Sequence, residues 1–243
     1  MRIAIIADLH ANLEATKAVF EAIDAKNPDR VFCLGDLTGY NSQPNEVIDI
    51  LRERDIPTIL GNHDAAVCGL EEPWFFRAAA KKAIEWQLDV IRDDNRQWLM
   101  RAPEQIVFSR TCLGVHGSPS SRDDYIIDWL DAMRQLEFIN GRDIHVCFFG
   151  HSHRPSFFSE KGPAQVVSPG TVHELRPVNR YFINPGAVGQ PRDRDPRAAF
   201  GMFDLERMTF EFCRVDYNID LCARKIMQAG LPMELASRLS KGK

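Results

Sequence analysis

Apolar residues along the chain fall into short unbroken runs, separated by longer stretches in which they recur every three or four positions. The first run is Ile3–Ala7. A short run with no polar interruption is the pattern of a strand buried on both faces. Asn12 then offers an N-cap, and Leu13, Val19, Phe20 and Ile23 predict the apolar face of a helix reaching about Ala25. Asn27-Pro28-Asp29 stops it. Val31–Leu34 reads as a second strand, Pro44 suits the first turn of a helix running to about Arg54, and Pro57–Leu60 reads as a third strand. Strand–helix–strand alternation predicts a βαβ core with parallel pairing.

From Glu72 to about Arg101 the pattern changes to an Ala-, Lys- and Trp-rich helical segment, broken near Asp93-Asp94. Strand-like runs return at Ile106–Phe108, Thr111–Val115 and Ile144–Phe149, with a helix expected around Tyr125–Phe138. Strand signals dominate from Pro155 to Val215, punctuated by Gly and Pro turns, and predict antiparallel pairing. The tail from Ile219 reads as two short helices separated by Gly230-Leu231-Pro232. A chain of 243 residues without internal repeats is expected to form one domain, 1–243, with a helical insertion at about 72–101 and C-terminal helices at about 219–240.

Composition narrows the function classes. Hydrophobic residues at 44% and charged residues at 26% are ordinary for a soluble globular protein. The net charge of −4 (30 Lys and Arg against 34 Asp and Glu) speaks against nucleic acid as the main partner, since such binders carry a basic excess. It leaves a small phosphorylated substrate open, because metal ions can supply local positive charge. The six cysteines form no C-x-x-C pair, and Cys33 and Cys147 sit inside apolar runs as small hydrophobes, a pattern that fits a reducing compartment. No apolar stretch approaches a membrane span or a signal peptide, so a cytoplasmic protein with no membrane partner is expected.

Chemistry concentrates where the apolar runs end. Ile3–Ala7 runs into Asp8-Leu9-His10, Val31–Leu34 into Gly35-Asp36, and Thr58–Leu60 into Gly61-Asn62-His63-Asp64. Leu113–Val115 runs into His116-Gly117, and Val146–Phe149 into Gly150-His151-Ser152-His153. Ligands in open α/β folds bind beyond the carboxyl ends of strands, so these five ends aim at one place. Taken singly, an Asp after a strand caps a helix and a Gly-Asp makes a turn. The joint occurrence exceeds what turns require. Five of the seven histidines lie at these ends; His145 heads a strand and His173 falls in a loop. Imidazoles, carboxylates and one amide suit divalent Mn, Fe or Zn better than Ca or Mg, and no Cys joins them as in structural zinc sites.

The order DLH, GD, GNHD, VHG, GHSH resembles the calcineurin-like metallophosphoesterase superfamily, and NPGAVGQPRDRDPRAAF with AGLPMELASRL resembles a bacterial, phosphodiesterase-like branch of it. The resemblance implies an α/β fold in which two mixed β-sheets form a sandwich flanked by helices, four layers in all. It implies Asp8, His10, Asp36 and His153 on one metal ion, with Asp36 bridging to a second ion that also takes Asn62, His116 and His151. His63 would lie beside the substrate. Two ions roughly 3.5–4 Å apart neutralise phosphate oxygens and generate a hydroxide nucleophile at neutral pH. His63 is then the candidate acid for the leaving oxygen, with Asp64 or another carboxylate to orient it, and Arg192 and Arg154 are candidate partners of substrate phosphate. Gly35-Asp36-Leu37-Thr38-Gly39-Tyr40 lacks the Asp-Arg pair of the protein Ser/Thr phosphatases. The expected substrate is therefore a small phosphodiester, phosphomonoester or nucleotide. The competing reading is a binding scaffold on the same fold; such a scaffold can drop ligands, and here all seven ligand positions and His63 are present.

Overall fold

The computed structural model describes residues 1–162 and 167–243. Among the described residues, ten strands form two five-stranded sheets. In chain order they are β1 (Arg2–Ile6), β2 (Arg30–Cys33), β3 (Gln105–Ser109), β4 (Cys112–Val115), β5 (Val146–Phe148), β6 (Ser156–Ser159), β7 (Val172–Glu174), β8 (Tyr181–Asn184), β9 (Ala198–Asp204) and β10 (Thr209–Val215). One sheet runs β2-β1-β9-β10-β7 and the other β3-β4-β5-β8-β6. The β1–β2, β4–β5 and β5–β8 pairs are parallel; the remaining strand pairs are antiparallel.

The alternation along β1 shows why its run is wholly apolar. Ile3 and Ile5 point between the sheets, where they meet Phe148, Phe203 and Phe210. Ala4 and Ile6 point outward, against helices α1 (Leu13–Lys26) and α2 (Pro44–Glu53). On the second sheet Leu113, Cys147, Phe158 and Phe182 pack against Ala132 and Ile139 of α6 (Trp129–Arg134) and α7 (Leu136–Ile139). Helix, sheet, sheet and helix stack as the expected four layers, because each sheet has two apolar faces to cover.

The remaining helices roof one end of the sandwich. Helix α3 (Asn62–Val67) leads to a 3₁₀ turn at Pro73–Phe75, then α4 (Ala78–Val90) and α5 (Asp93–Leu99). Helices α8 (Ile219–Gln228) and α9 (Met233–Leu239) close the chain. Ala80 and Ala83 of α4 share a small core with Cys222, Ile226, Leu235 and Leu239 of α8 and α9, and Tyr40 sits within it. The helical segment and the C-terminal tail are thus packed on each other, which no local sequence signal revealed.

Four expectations need correction. Pro57–Leu60 is not a strand: Thr58 makes one parallel bridge to Cys33, and Leu60 then turns its N–H to Pro103. The helix expected over Tyr125–Phe138 starts only at Trp129, capped by Asp128, and is interrupted at Gln135. β8 pairs in parallel with β5 inside the region expected to be antiparallel. His173 lies in β7 opposite Phe210, stacked 4.6 Å from Phe157, rather than in a loop. The strand reading of positions 163–166 falls outside the described residues. No helix among the described residues is long and apolar enough to cross a membrane. All six cysteines are free and buried.

Candidate metal centre

The loops after β1, β2, β4 and β5 and the start of α3 meet at the end of the sandwich. Asp8, His10, Asp36 and His153 form one cluster whose potential ligand atoms lie within 4.8 Å of one another, and Asp36, His116 and His151 form a second by the same measure. Asp36 belongs to both. Asn62 joins the second cluster, its Oδ1 3.1 Å from His116 Nε2. Every one of these side chains is buried.

Both carboxylates and all four imidazoles are tethered through one atom to the surrounding main chain. Asp8 Oδ1 accepts from the His151 amide at 3.0 Å, and Asp36 Oδ1 accepts from the His63 amide at 2.9 Å. The Oδ2 atoms of both carboxylates are buried and have no hydrogen-bond partner. The imidazoles repeat the scheme. Nδ1 of His10 lies 2.6 Å from Thr38 O, Nδ1 of His153 2.6 Å from Gln190 O, Nδ1 of His116 2.7 Å from Leu34 O, and Nε2 of His151 3.2 Å from Asp123 O. A carbonyl only accepts, so the tethered nitrogen carries the proton, and in His10, His153 and His151 the other can present its lone pair inward, whereas His116 Nε2 faces Asn62 Oδ1 at 3.1 Å and Asp36 Oδ2 at 3.3 Å. That is the arrangement metal-bound histidines adopt, with a carbonyl fixing the tautomer and ring orientation. The inward Nε2 atoms of His10 and His153 are 3.0 Å apart. Two lone pairs at that distance repel unless a cation or a proton lies between them. Bare buried carboxylate oxygens call for the same charge, so the residues present fit divalent metal ions.

The metal-free electrostatics agree. Burial pushes Asp8 up to about 7 and His10 down to about 4. His116 departs from this trend: burial lowers its proton affinity, but the adjoining Asp36 carboxylate wins and raises it to about 9. Asp36 is correspondingly held well below the usual range, because His116 and His63 outweigh the burial that would raise it. The Asp36 carboxylate thus favours the protonated His116 ring, and a metal ion bound at that nitrogen would compete with its proton.

Backbone geometry at the site is unusual. Asp8, His10, Asp36, His151 and His153 all have positive φ, which non-glycine residues rarely adopt. The conformation is held by cross-links between loops, including Asp8 N to Gly35 O at 3.1 Å, His10 N to Asp36 O at 2.9 Å and Asn184 Nδ2 to Gly150 O at 2.7 Å. Asn184 lies in the NPG stretch, whose sequence signal pointed to kinship and not to this support of the Gly150–His153 turn.

His63 is buried beside the clusters without belonging to either. Its ring meets His10 at 4.8 Å, Tyr40 at 4.5 Å and Phe76 at 4.7 Å between centroids. Burial holds it well below the ordinary imidazole range, against the opposing pull of Asp36. Asp64 does not orient it. The Asp64 carboxylate accepts from Thr38 N at 3.0 Å, Thr38 Oγ1 at 2.8 Å and Gly61 N at 3.2 Å, and so laces the β2 loop to the start of α3.

A cleft of about 1170 Å³ opens onto the centre; Asn62, His63 and His151 lie in its wall. Arg192 lines it, half-buried, with Nη2 donating to Tyr40 Oη at 2.8 Å. Arg154 lines it too, exposed, with Nε bound to Arg192 O at 3.2 Å. Tyr125 stacks over His151 with centroids 3.9 Å apart. Sequence reasoning missed Tyr40 and Tyr125, which carry no motif of their own.

The profile of the calcineurin-like phosphoesterase superfamily domain matches residues 1–208. An uncharacterised protein of Methanocaldococcus jannaschii is 34% identical, the match covering 99% of this chain and 98% of that one. A metallophosphoesterase from Sphaerobacter thermophilus is 34% identical in sequence and superposes over the full length of both chains with a TM-score of 0.88. A hypothetical protein from Pyrococcus horikoshii, 18% identical, shares the fold over 100% of this chain and 98% of its own, with a TM-score of 0.83. Profile, full-length relatives and fold agree, and the chain belongs to the calcineurin-like phosphoesterase superfamily.

Proposed function

We propose that the protein hydrolyses small phosphate esters at a dinuclear centre. Asp8, His10, Asp36 and His153 hold one divalent ion, and Asp36, Asn62, His116 and His151 hold the other, Mn, Fe or Zn being the ions whose chemistry suits this mixed donor set. The observation that carries the reading is the pair of buried clusters sharing Asp36, with Oδ2 of Asp8 and of Asp36 buried and without a hydrogen-bond partner. When bound, the ions supply Lewis acidity for the phosphoryl oxygens and lower the pKa of the attacking water.

The chain's own residues do the rest. Arg192 binds a non-bridging phosphate oxygen with the guanidinium edge not used on Tyr40, and Arg154 adds positive charge at the mouth. His63 is the proton donor for the leaving oxygen. Burial keeps it neutral in the free site, and an anionic ester beside it raises its proton affinity when the proton is needed. Asp64 acts at one remove, by fixing Thr38 and Gly61 on either side of Asp36. The roof formed by α4 and α9 limits the cleft to small substrates. A scaffold has no use for seven buried donors held ready in this way.

The test combines elemental analysis with a hydrolysis screen of aryl and alkyl mono- and diesters, Mn, Fe, Zn and Mg being supplied separately. Two metal equivalents with metal-dependent turnover are expected. A fully loaded protein inert towards every ester would overturn the reading.

A further inference from the structure

The wall of the cleft away from the metal clusters carries more positive charge than one scissile phosphate needs. Arg77, at the N-cap of α4, Arg192, Arg194, Arg238 of α9 and Lys243 all line it. Among the described residues, none of these five makes a salt bridge to an Asp or Glu side chain, although other arginines such as Arg52, Arg54, Arg92, Arg122 and Arg214 do.

The arrangement centres on Tyr40. The Cζ atoms of Arg192 and Arg238 lie 5.4 and 6.0 Å from its ring centroid, and the same ring touches His10 at 4.6 Å and His63 at 4.5 Å. Two guanidiniums therefore stand one aromatic ring away from the reacting site. Arg238 is held in place: its Nε donates to the main-chain oxygen of Lys243 at 2.9 Å, and Gly242 in turn accepts from Arg194 N at 2.9 Å, docking the tail against the 190–195 loop. The Nε of Arg192 is buried with no hydrogen-bond partner. Burial first, then the charges on Arg192 and Arg77, oppose the charge on Arg238, while Tyr40 and Glu234 favour it. Glu72, Asp123 and Glu234 also line the cleft, and Glu71 is taken by Arg122. Half-buried like charges close together cost stability where the nearby carboxylates do not pair with them directly, and an anionic ligand lowers that cost.

We infer that Arg238 and Arg77 form a second anion subsite beside Arg192, and that the physiological substrate is a small phosphate ester carrying a further phosphate group. Within the phosphate-ester reading on which this rests, the metal centre takes the scissile phosphate and the roof helices take the other. Arg238 and Arg77 are specificity residues and do not act on the reacting atoms.

A matched pair of esters tests it: thymidine 5′-(p-nitrophenyl phosphate) with and without a 3′-phosphate, which share a leaving group. The wild type should favour the 3′-phosphorylated ester in kcat/KM by about tenfold or more, as expected for one charge-assisted contact, with the preference declining as salt is raised. Arg238→Gln and the exposed Arg77→Gln should each cut that ratio, chiefly through KM, and Arg238→Lys should retain part of it. A wild-type ratio near one, or ratios unchanged in both Gln variants, would overturn the inference. A protein that cleaves neither ester would refute the phosphate-ester reading separately. Calorimetry of thymidine 3′,5′-bisphosphate against thymidine 5′-phosphate then decides the subsite: tighter binding of the bisphosphate that Arg238→Gln abolishes supports it, and equal binding refutes it.

Discussion

Gly39→Ala tests whether the position of His63, and not merely its presence, matters for turnover. Gly39 has φ +87, and a Cβ there would lie 2.8 Å from His63 Cγ and closer still to Nδ1. The His63 ring has little room to yield, since His10, Tyr40 and Phe76 pack against it. The left-handed backbone costs a non-glycine residue about 1–2 kcal/mol. Relief of the overlap requires the ring to retreat by roughly 1 Å, a misplacement that can cost about 10²-fold in rate. The three atoms nearest the new methyl all belong to His63, and none belongs to a metal-donor candidate. Gly39→Ala should therefore keep both metal equivalents, melt at a modestly lower temperature and lose about 10²-fold in kcat on an alkyl ester. A double-mutant cycle isolates the cause. In a His63→Ala background, which itself should cost about 10²–10⁴-fold, Gly39→Ala should cost almost nothing further, because the ring it displaces has gone. Equal losses in both backgrounds, or full activity in the single variant, would refute the positioning argument.

Asp36→Asn should lose both ions and nearly all activity together, as read by elemental analysis; two retained equivalents would count against the shared role. His63→Ala should lose less on nitrophenyl esters, whose leaving group needs little protonation, than on alkyl esters, and equal losses would indicate a role in holding phosphate instead. Metal loading should release protons, because His116, raised to about 9 in the metal-free site by Asp36, is protonated at neutral pH and must give up that proton. Apparent metal affinity should accordingly fall from pH 8 to pH 6, roughly tenfold per unit for each proton displaced, and a flat titration would contradict this. Small aryl phosphates should be turned over far better than an intact phosphoprotein, since Phe76 to Ala80 of the roof line the cleft; comparable efficiency would remove the roof from any role in selection.

The donor residues were legible in the sequence because each follows an apolar run, and a run buried on both faces announces its own end. Asp8, Asp36, His116 and His151 follow β1, β2, β4 and β5 in this way. Asn62 was found by the same rule although Thr58 makes only one bridge; the short extended segment delivers the chain to α3 without being a strand of its own. The tethers were not legible, because they are main-chain carbonyls of Leu34, Thr38, Asp123 and Gln190, which any residue could supply. Asp64 was misassigned for a related reason. Adjacency to His63 suggested a partner, but on a helix neighbouring side chains diverge by about 100°, and its carboxylate faces Thr38. Tyr40 and Arg238 come together across almost two hundred residues of chain through the packing of α4 on α8 and α9, which apolar spacing within each helix cannot specify.

The positive φ values at Asp8, His10, Asp36, His151 and His153 carry the synthesis one step further. Each such residue costs on the order of 1–3 kcal/mol, and the cost is tolerated only where surrounding contacts over-determine the conformation. Those contacts come from the rigid sheet ends: the N–H of Asp8 reaches Gly35, that of His151 reaches Asp8, and that of His63 reaches Asp36. The same bonds that hold the strained backbone leave one oxygen of each carboxylate bare. Strain and unsatisfied charge are therefore not separate defects. The loops are locked by the ligands' own second atoms, so the inward donors cannot relax towards one another or towards solvent. A site free to relax would pair Asp8 Oδ2 with a neighbouring donor and lose part of its demand for positive charge. Here the loops hold Asp8 Oδ2 without a partner and keep Asp36 within reach of both clusters, so the demand for positive charge is built into the fold before any ion or substrate arrives.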